Sequence, residues 1–284
     1  MLLSAAKNSD CAIESIKNKG IIMKKYLCLI GVLMKLSLMS QLEYRVNFIA
    51  GVAVEMGWML VKLLYVAVVY RIGVNISVFT PNHIQIFIGI YVLMTGFYML
   101  YYPNFAGLGQ MVQSGELDMY LVKPVSLQFI VTLRQWSFPM FLTNAIAGSI
   151  LIITGWQKAG LAVSVKQILG FLFLLLCSNL LTYSLFLIPY LMCFWIVSTG
   201  GIESLSSALW DFNNMPYMIY GKWIQRIGTF ILPIFIITNF PGLFLMGNLP
   251  PVMFVWAIAA PVLFFILARI LWKKAVRNYT SASS

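Results

Sequence analysis

The chain has 284 residues, of which 61% are hydrophobic and 10% are Asp, Glu, Lys or Arg, whereas soluble domains carry about 25% charged residues. This composition, with a mean hydropathy of +0.89, excludes a soluble globular domain. The net charge of +11 comes from short basic clusters that flank apolar runs, a pattern that indicates membrane orientation and not nucleic-acid binding. Four cysteines without paired spacing and one histidine predict no disulfide, metal site or cofactor.

The N-terminal part divides into a polar segment and an apolar one. Residues 1–22 are polar, mixed in charge and without apolar periodicity, and we expect them to be a disordered extension. Residues 23–284 then form a single transmembrane domain. Residues 26–42 are apolar except for Lys35, which predicts a helix lying in the cytoplasmic interface. A short buried span is the alternative.

Two runs without Asp, Glu, Lys or Arg, Gln167–Ile202 and Ile227–Ala268, are the strongest signal for membrane spans. Helices of these lengths, 36 and 42 residues, would be about 54 and 63 Å long, whereas a bilayer core is about 30 Å thick. Each run must therefore fold back on itself, and the chain is predicted to be an all-α polytopic membrane protein. Its apolar pieces lie at about 46–70, 84–106, 127–154, 167–188, 191–212, 227–247 and 252–272.

These pieces are odd in number, but the chain is basic at both ends, which favours the cytoplasm for both termini. One piece must then enter the membrane without crossing it, which leaves six crossings. The sequence favours 227–247 as a re-entrant element, because Pro233, Pro241 and Gly242 interrupt it. The competing arrangement leaves 193–225 in the cytoplasm and makes 227–247 a true span.

With the N-terminus inside, the loop between the second and third pieces is cytoplasmic. Ser114 is a plausible N-cap there, Glu116 and Asp118 suit the positive end of a helix dipole, and Pro124 stops the helix. This pattern predicts a two-turn helix.

Leu117, Tyr120 and Leu121 would project from one face of that helix. A helix so short is not stable alone, so it either docks onto another protein or is an ordinary capped turn.

The loop sequence SGELDMYLVKPVS (Ser114–Ser126) resembles the loop after the second span in type-2 permease subunits of ATP-binding-cassette exporters, which has the pattern GxLdxyLvrPvs. The resemblance extends to Leu42–Gly51, to the Phe194–Trp195 pair and to Met215–Leu245, and it covers nearly the whole chain from Met23.

This resemblance implies an interfacial elbow helix, six spans, a cytoplasmic coupling helix after the second span and re-entrant helices before the sixth. It implies a multi-pass protein of the bacterial plasma membrane that exports a drug, a peptide antibiotic or a lipid-like compound. The implied partners are two copies of a separate ATPase subunit and a second permease subunit, in a homodimer or a heterodimer. The residues implied to contact the ATPase are Gly115, Glu116, Leu117, Asp118, Tyr120, Leu121, Lys123 and Pro124.

The first span carries two ionisable residues, Glu55 and Lys62, seven positions apart on one helical face. Ionisable residues inside a membrane are costly and often functional. These two would pair with each other, line the translocation path or lie at the dimer interface. Arg134, near the start of the third span, is expected to extend its charged end to the inner interface.

The chain has no GxxxxGK[ST], HExxH or GxSxG motif, so we expect it to be no enzyme and to depend on a partner for ATP hydrolysis. The leading hypothesis is the membrane subunit of an ATP-driven exporter. The alternatives are a secondary carrier driven by an ion gradient, with Glu55 and Lys62 as coupling groups, and a membrane scaffold without transport.

Overall fold

The computed structural model describes residues 22–73, 79–161, 164–196 and 200–279. The prediction of a disordered extension falls on residues 1–21, outside the described residues, and on Ile22, which begins the first helix. The structure is 85% helical, and no β-strand occurs in the described ranges. The predicted all-α class is confirmed.

The described α-helices are, in chain order, α1 (Ile22–Glu43), α2 (Arg45–Ile72), α3 (Pro81–Ala106), α4 (Leu108–Ser114), α5 (Asp118–Leu121), α6 (Leu127–Thr132), α7 (Phe138–Ala159), α8 (Val165–Tyr190), α9 (Gly200–Asp211), α10 (Lys222–Arg226), α11 (Ile234–Leu245) and α12 (Pro251–Arg277). Short 3-10 helices lie at Leu191–Phe194, Phe212–Asn214 and Tyr217–Ile219, and a π-helix lies at Ile227–Ile231.

The long helices α2, α3, α7, α8 and α12 run between the two ends of a bundle. At one end, which we call the basic end, the Phe194 ring lies 6.2 Å from the Trp272 ring and Arg269 donates to Gln128 at 2.8 Å. At the opposite end, Asn82 donates to the Lys158 carbonyl at 2.9 Å. The α2–α3, α7–α8 and α11–α12 connections therefore lie at the opposite end, and α1 and α4–α6 lie at the basic end.

Four predicted spans, 46–70, 84–106, 167–188 and 252–272, each correspond to one helix, respectively α2, α3, α8 and α12. The other pieces differ. The piece 127–154 is divided between α6 and α7, which residues 133–137 separate. The piece 191–212 is a 3-10 helix followed by α9, with residues 197–199 outside the description. At 12 residues α9 is about 18 Å long, which is short for a membrane span.

Six described helices are long and apolar enough to cross a membrane, or seven units if the bent pair near residue 232 counts as one span. Six is also the predicted number of membrane crossings, but these six helices are not the six predicted segments. The six helices include α1 from Lys24, which was predicted to lie in the interface, and they do not include the predicted span 191–212.

Helix α1 lies along residues 124–136 over most of its length. No residue of α1 from Lys24 onward is buried. Its polar contacts include Lys25 Nζ to the Pro124 carbonyl at 2.6 Å, the Ser126 N–H to the Tyr26 hydroxyl at 3.2 Å, the Trp136 N–H to Ser37 Oγ at 3.2 Å and the Gln41 amide to the Trp136 carbonyl. Both halves of α1 thus contact the basic end of the bundle.

Helices α3 and α7 pack backbone to backbone through small residues. A Cβ atom added to Gly148 would lie 2.6 Å from the Leu93 nitrogen, and one added to Gly89 would lie 2.8 Å from the Ile152 nitrogen. Glycine allows this approach because it has no side chain, as at many helix interfaces in membranes. The pair therefore forms a tight unit in the bundle.

The segment after α9 contains the predicted proline-interrupted element. Residues Lys222–Ile231 and Ile234–Leu245 are bent by 97° at Pro233. Every residue of α11 except Phe244 is buried, whereas α10 has no buried residue. The bend therefore joins an exposed helix to one inserted among α3 and α8.

Candidate functional site

A cavity of about 510 Å³ lies between α2, α3, α7 and α9. Its polar lining includes Glu55, Lys62, Thr95, Asn144 and Asp211. A volume of this size holds a drug-sized molecule. The cavity is therefore the strongest candidate for a binding site in the described part of the chain.

Glu55 and Lys62, the ionisable residues predicted in the first span, both line this cavity but do not pair with each other. Glu55 is 8% exposed as a residue, and its carboxylate accepts a hydrogen bond of 2.8 Å from the Asn144 amide. The Lys62 ammonium lies 4.5 Å above the centre of the Tyr91 ring. Both residues are described, and no ion pair joins them. The arrangement favours a role in lining the cavity over mutual neutralisation.

Asp211 is a lining residue that no sequence pattern indicated. It is the last residue of α9 and is exposed, as are Ser207 and Trp58 on the same cavity. Glu55 and Trp210 are buried. The cavity therefore has an exposed rim and a buried interior. The sequence signal for Asp211 was weak, because an acidic residue at the end of an apolar piece is typical of an interface.

The interior wall of the cavity is aromatic. The Trp210 ring stacks on Tyr98, with centroids 4.3 Å apart and planes 6° apart, and lies 6.2 Å from Tyr91. The Phe186 ring packs edge-to-face against the same indole, with ring centroids 5.5 Å apart. Trp210 therefore fixes α9 against α3 and α8 and forms the wall at the same time.

The second candidate site is the loop predicted to couple to an ATPase, residues Gly115–Pro124. Helix α4 ends at Ser114, and Gly115 takes a left-handed conformation with φ 73°. The helix that follows, α5, has four residues, so the predicted two-turn helix is one turn long. Ser114 does not cap it, because its Oγ instead accepts from the Glu116 N–H at 3.4 Å.

The apolar side chains of this loop do not share one exposed face as predicted. Leu117 is 0% exposed and belongs to the core, and Tyr120 is half-buried. Met119, Leu121 and Val122 are 60%, 44% and 84% exposed. We call these three residues the docking face, since they are the loop's exposed apolar surface.

The charged side chains of the loop hold it to the bundle. Arg134 Nη1 makes an ion pair of 2.8 Å with Glu116 and donates to the Tyr120 hydroxyl at 3.4 Å. The Lys123 ammonium lies 4.5 Å above the Tyr120 ring. The Pro124 carbonyl accepts from α1, as described above. Arg134 was expected only to extend its charged end to the inner membrane interface. It instead ties the loop to the residues just before α7.

The end of the described chain also contacts this loop. Burial raises the pKa of the Tyr279 hydroxyl, and the Asp118 carboxylate beside it raises that pKa further. The Tyr279 ring lies 6.2 Å from Phe194, which follows α8. Asp118 therefore faces the C-terminal segment of the same chain.

Residues 56–283 match the family described as ABC-2 family transporter protein. The chain belongs to the ABC-2 transporter family. The match contains Lys62, the docking face and Asp211, and it begins one residue after Glu55. No curated protein and no solved structure matches the chain.

Family membership confirms the resemblance to type-2 permeases. An ABC-2 family member is a multi-pass membrane protein of a transport system, works as a membrane subunit and implies a partner ATPase subunit. Both candidate sites, the cavity and the loop, therefore belong to a transport protein.

Proposed function

We propose that the chain is the permease subunit of an ATP-driven exporter in the bacterial plasma membrane, with energy supplied by two copies of a separate ATPase subunit. The observation that carries this proposal is the docking face. It is an exposed apolar surface on a loop that the buried Leu117 and the Arg134–Glu116 ion pair hold to the bundle. Exposed apolar clusters in such positions mark protein contacts.

The distribution of charge supports a cytoplasmic basic end. Of the described Lys and Arg residues outside the cavity, ten lie at the basic end (Lys24, Lys25, Lys35, Arg45, Lys123, Arg134, Arg269, Lys273, Lys274 and Arg277) and three at the opposite end (Arg71, Lys158 and Lys166). Lys222 and Arg226 are counted with the opposite end, because the carbonyl of Thr229, which follows them, accepts from the Trp256 indole near the start of α12. Such an excess is typical of the cytoplasmic side. Both termini and the docking face are then cytoplasmic, where an ATPase works.

In this orientation α1 is an elbow helix in the inner interface. Its contacts with residues 124–136 support this placement, because a helix that crossed the membrane would leave the basic end. The bent pair of α10 and α11 is then a re-entrant element at the outer side, and α9 with the turns after it occupies the place of the fifth span.

The loop can transmit force to two helices. On one side it continues from α4, which extends α3, and on the other side the Arg134–Glu116 ion pair ties it to the start of α7. Closure of the ATPase subunits would push on the docking face and tilt both helices. That tilt would change the opening of the cavity, which lies between these helices and α2 and α9.

A second permease subunit would complete the pathway. Helix α2 is exposed over most of its surface, with Glu55 and Val69 as its buried residues. The cavity rim at Trp58 and Asp211 lies on this exposed side. A partner permease, identical or not, packed against α2 and α9 would enclose the cargo between the two subunits.

The test is reconstitution of this chain with a separate ATP-binding-cassette ATPase subunit from the same organism. We expect the two proteins to purify together. We also expect uptake of the cargo into inside-out vesicles to require ATP hydrolysis. Transport by the chain alone, driven by an ion gradient and unaffected by ATP, would replace the exporter by the secondary carrier.

A further inference from the structure

We infer that the cavity between α2, α3, α7 and α9 takes an amphiphilic organic cation, and that the Lys62 ammonium occupies the position of the cargo's charge when the cavity is empty. This inference rests on the proposed function, because it names the cargo class of the same permease. It follows from three properties of the lining, which are its charge, its aromatic wall and the position of Lys62.

The charge of the lining favours a cation. Two carboxylates, Glu55 and Asp211, face the cavity with one ammonium, Lys62, so the formal charge of these groups is −2 + 1 = −1. Asp211 lies at the exposed rim and Glu55 in the buried interior. An entering cation therefore meets a carboxylate at both depths, whereas an anion meets a single ammonium, that of Lys62.

The binding position for a positive charge is the face of the Tyr91 ring. Lys62 makes no ion pair with either described carboxylate, and its ammonium lies 4.5 Å above the Tyr91 ring. The face of an aromatic ring attracts cations through its quadrupole, including the charged groups of organic ligands. The lysine side chain is long and flexible, so it can leave the ring when a ligand cation takes that place.

The rest of the lining suits an aromatic or apolar body. Tyr98 and Trp210 present a stacked pair on the wall, and Trp58 at the rim is 60% exposed. Met59 and Met99 also line the cavity, and methionine side chains adapt to irregular ligand shapes. The cavity thus combines a cation-binding position on the Tyr91 ring with a wide apolar surface.

The sharpest test uses two probes of nearly equal shape and opposite charge, tetraphenylphosphonium and tetraphenylborate. Binding to the purified full-length chain in detergent is followed by the change in tryptophan fluorescence, since Trp58 and Trp210 line the cavity. We expect tetraphenylphosphonium to bind at least tenfold more tightly than tetraphenylborate. Equal affinities, or a preference for the borate, would overturn the inference.

Variants then locate the binding. Glu55→Gln combined with Asp211→Asn should weaken tetraphenylphosphonium binding at least tenfold, because glutamine keeps an acceptor for the Asn144 amide while the charge is lost. Lys62→Gln should strengthen it about threefold to tenfold, because the competing ammonium is gone. Size-exclusion profiles and melting temperatures are measured to confirm that each variant is folded.

Lys158→Gln is the matched control. The Lys158 ammonium also lies over a tyrosine ring, 5.1 Å from the centre of Tyr70, but it does not line the cavity. Its replacement should leave binding unchanged. If Lys62→Gln leaves tetraphenylphosphonium binding unchanged, as Lys158→Gln should, or weakens it, then Lys62 does not occupy the position of the ligand's charge and the inference fails. The assay needs no ATPase, so a negative result leaves the exporter assignment to the reconstitution experiment.

Discussion

The guanidinium of Arg134 meets the carboxylate of Glu116 at 2.8 Å, and the two side chains are 17% and 33% exposed. This ion pair joins the loop after α4 to the residues just before α7. It also brings Arg134 against the Tyr120 hydroxyl. The loop is therefore held from within the same chain, whereas Met119, Leu121 and Val122 remain exposed.

The first prediction concerns the docking face. Val122→Asp should abolish co-purification of the ATPase subunit and ATP-dependent transport while the chain remains folded, because Val122 is 84% exposed. An unpaired charge in an apolar contact costs several kcal/mol. The control is Val252→Asp at the opposite end, which changes a valine that is 76% exposed. Normal transport by Val122→Asp would remove the coupling role from this surface.

Leu117 should behave in the opposite way. Its side chain is fully buried, so Leu117→Ala should lower the free energy of unfolding by about 2–5 kcal/mol. Measured by thermal unfolding in detergent, this loss should appear without any partner present. A stable Leu117→Ala variant that nevertheless loses the ATPase would return Leu117 to the contact surface that the sequence suggested.

The ion pair can be tested by exchanging its charges. Glu116→Arg and Arg134→Glu should each reduce the ATPase activity that cargo stimulates, and the double variant should recover part of it. The expected coupling energy is about 1 kcal/mol, since the pair is partly exposed. Additive losses in the double variant would show that the two residues act separately.

Much of the fold was predictable because its strongest signals are local in sequence. The absence of charge over Gln167–Ile202 predicts α8, and basic residues at the end of α12 predict its limit. The break between α6 and α7 at residues 133–137 was not predicted. Arg134 in this break makes an ion pair with Glu116, whereas the sequence suggested that its charge would extend to the membrane interface. Long-range pairing of this kind is not visible in the periodicity of one segment.

The contact between α3 and α7 predicts a sharp difference between two glycines. Gly148→Ala should destabilise the protein by about 1–3 kcal/mol, because the new Cβ would lie 2.6 Å from the Leu93 nitrogen. Gly57→Ala should be neutral or slightly stabilising, because nothing lies within 4 Å of the Cβ position. Equal melting temperatures for both variants would contradict the close packing.

The orientation can be tested with single cysteines in a background without the native cysteines. Trp223→Cys, at a position that is 79% exposed, should react with an impermeant maleimide in intact cells. Val122→Cys should react only after the membrane is opened. Labelling of position 122 from outside would reverse the topology, and protection of position 223 from outside would favour residues 193–225 in the cytoplasm.

The candidate site was predicted in part. The rule that ionisable residues inside a membrane are functional selected Glu55 and Lys62, and both line the cavity. It did not reveal their partners, Asn144 and Tyr91, because those belong to other helices. For the loop, a helical pattern over so few residues could not show that Leu117 points inward, since that depends on the packing around it.

The glycine contact between α3 and α7 limits how the protein can move. The two helices on either side of the loop cannot separate or slide without losing a backbone-to-backbone fit. If a partner pushes on the loop at Val122, as proposed, these two helices would turn together as one rigid pair. The Glu55–Asn144 hydrogen bond of 2.8 Å connects α2 to this rigid pair, so a movement of the pair relative to α2 would strain or break it. A cation bound in the cavity and a movement of these helices would then compete for the same carboxylate, Glu55.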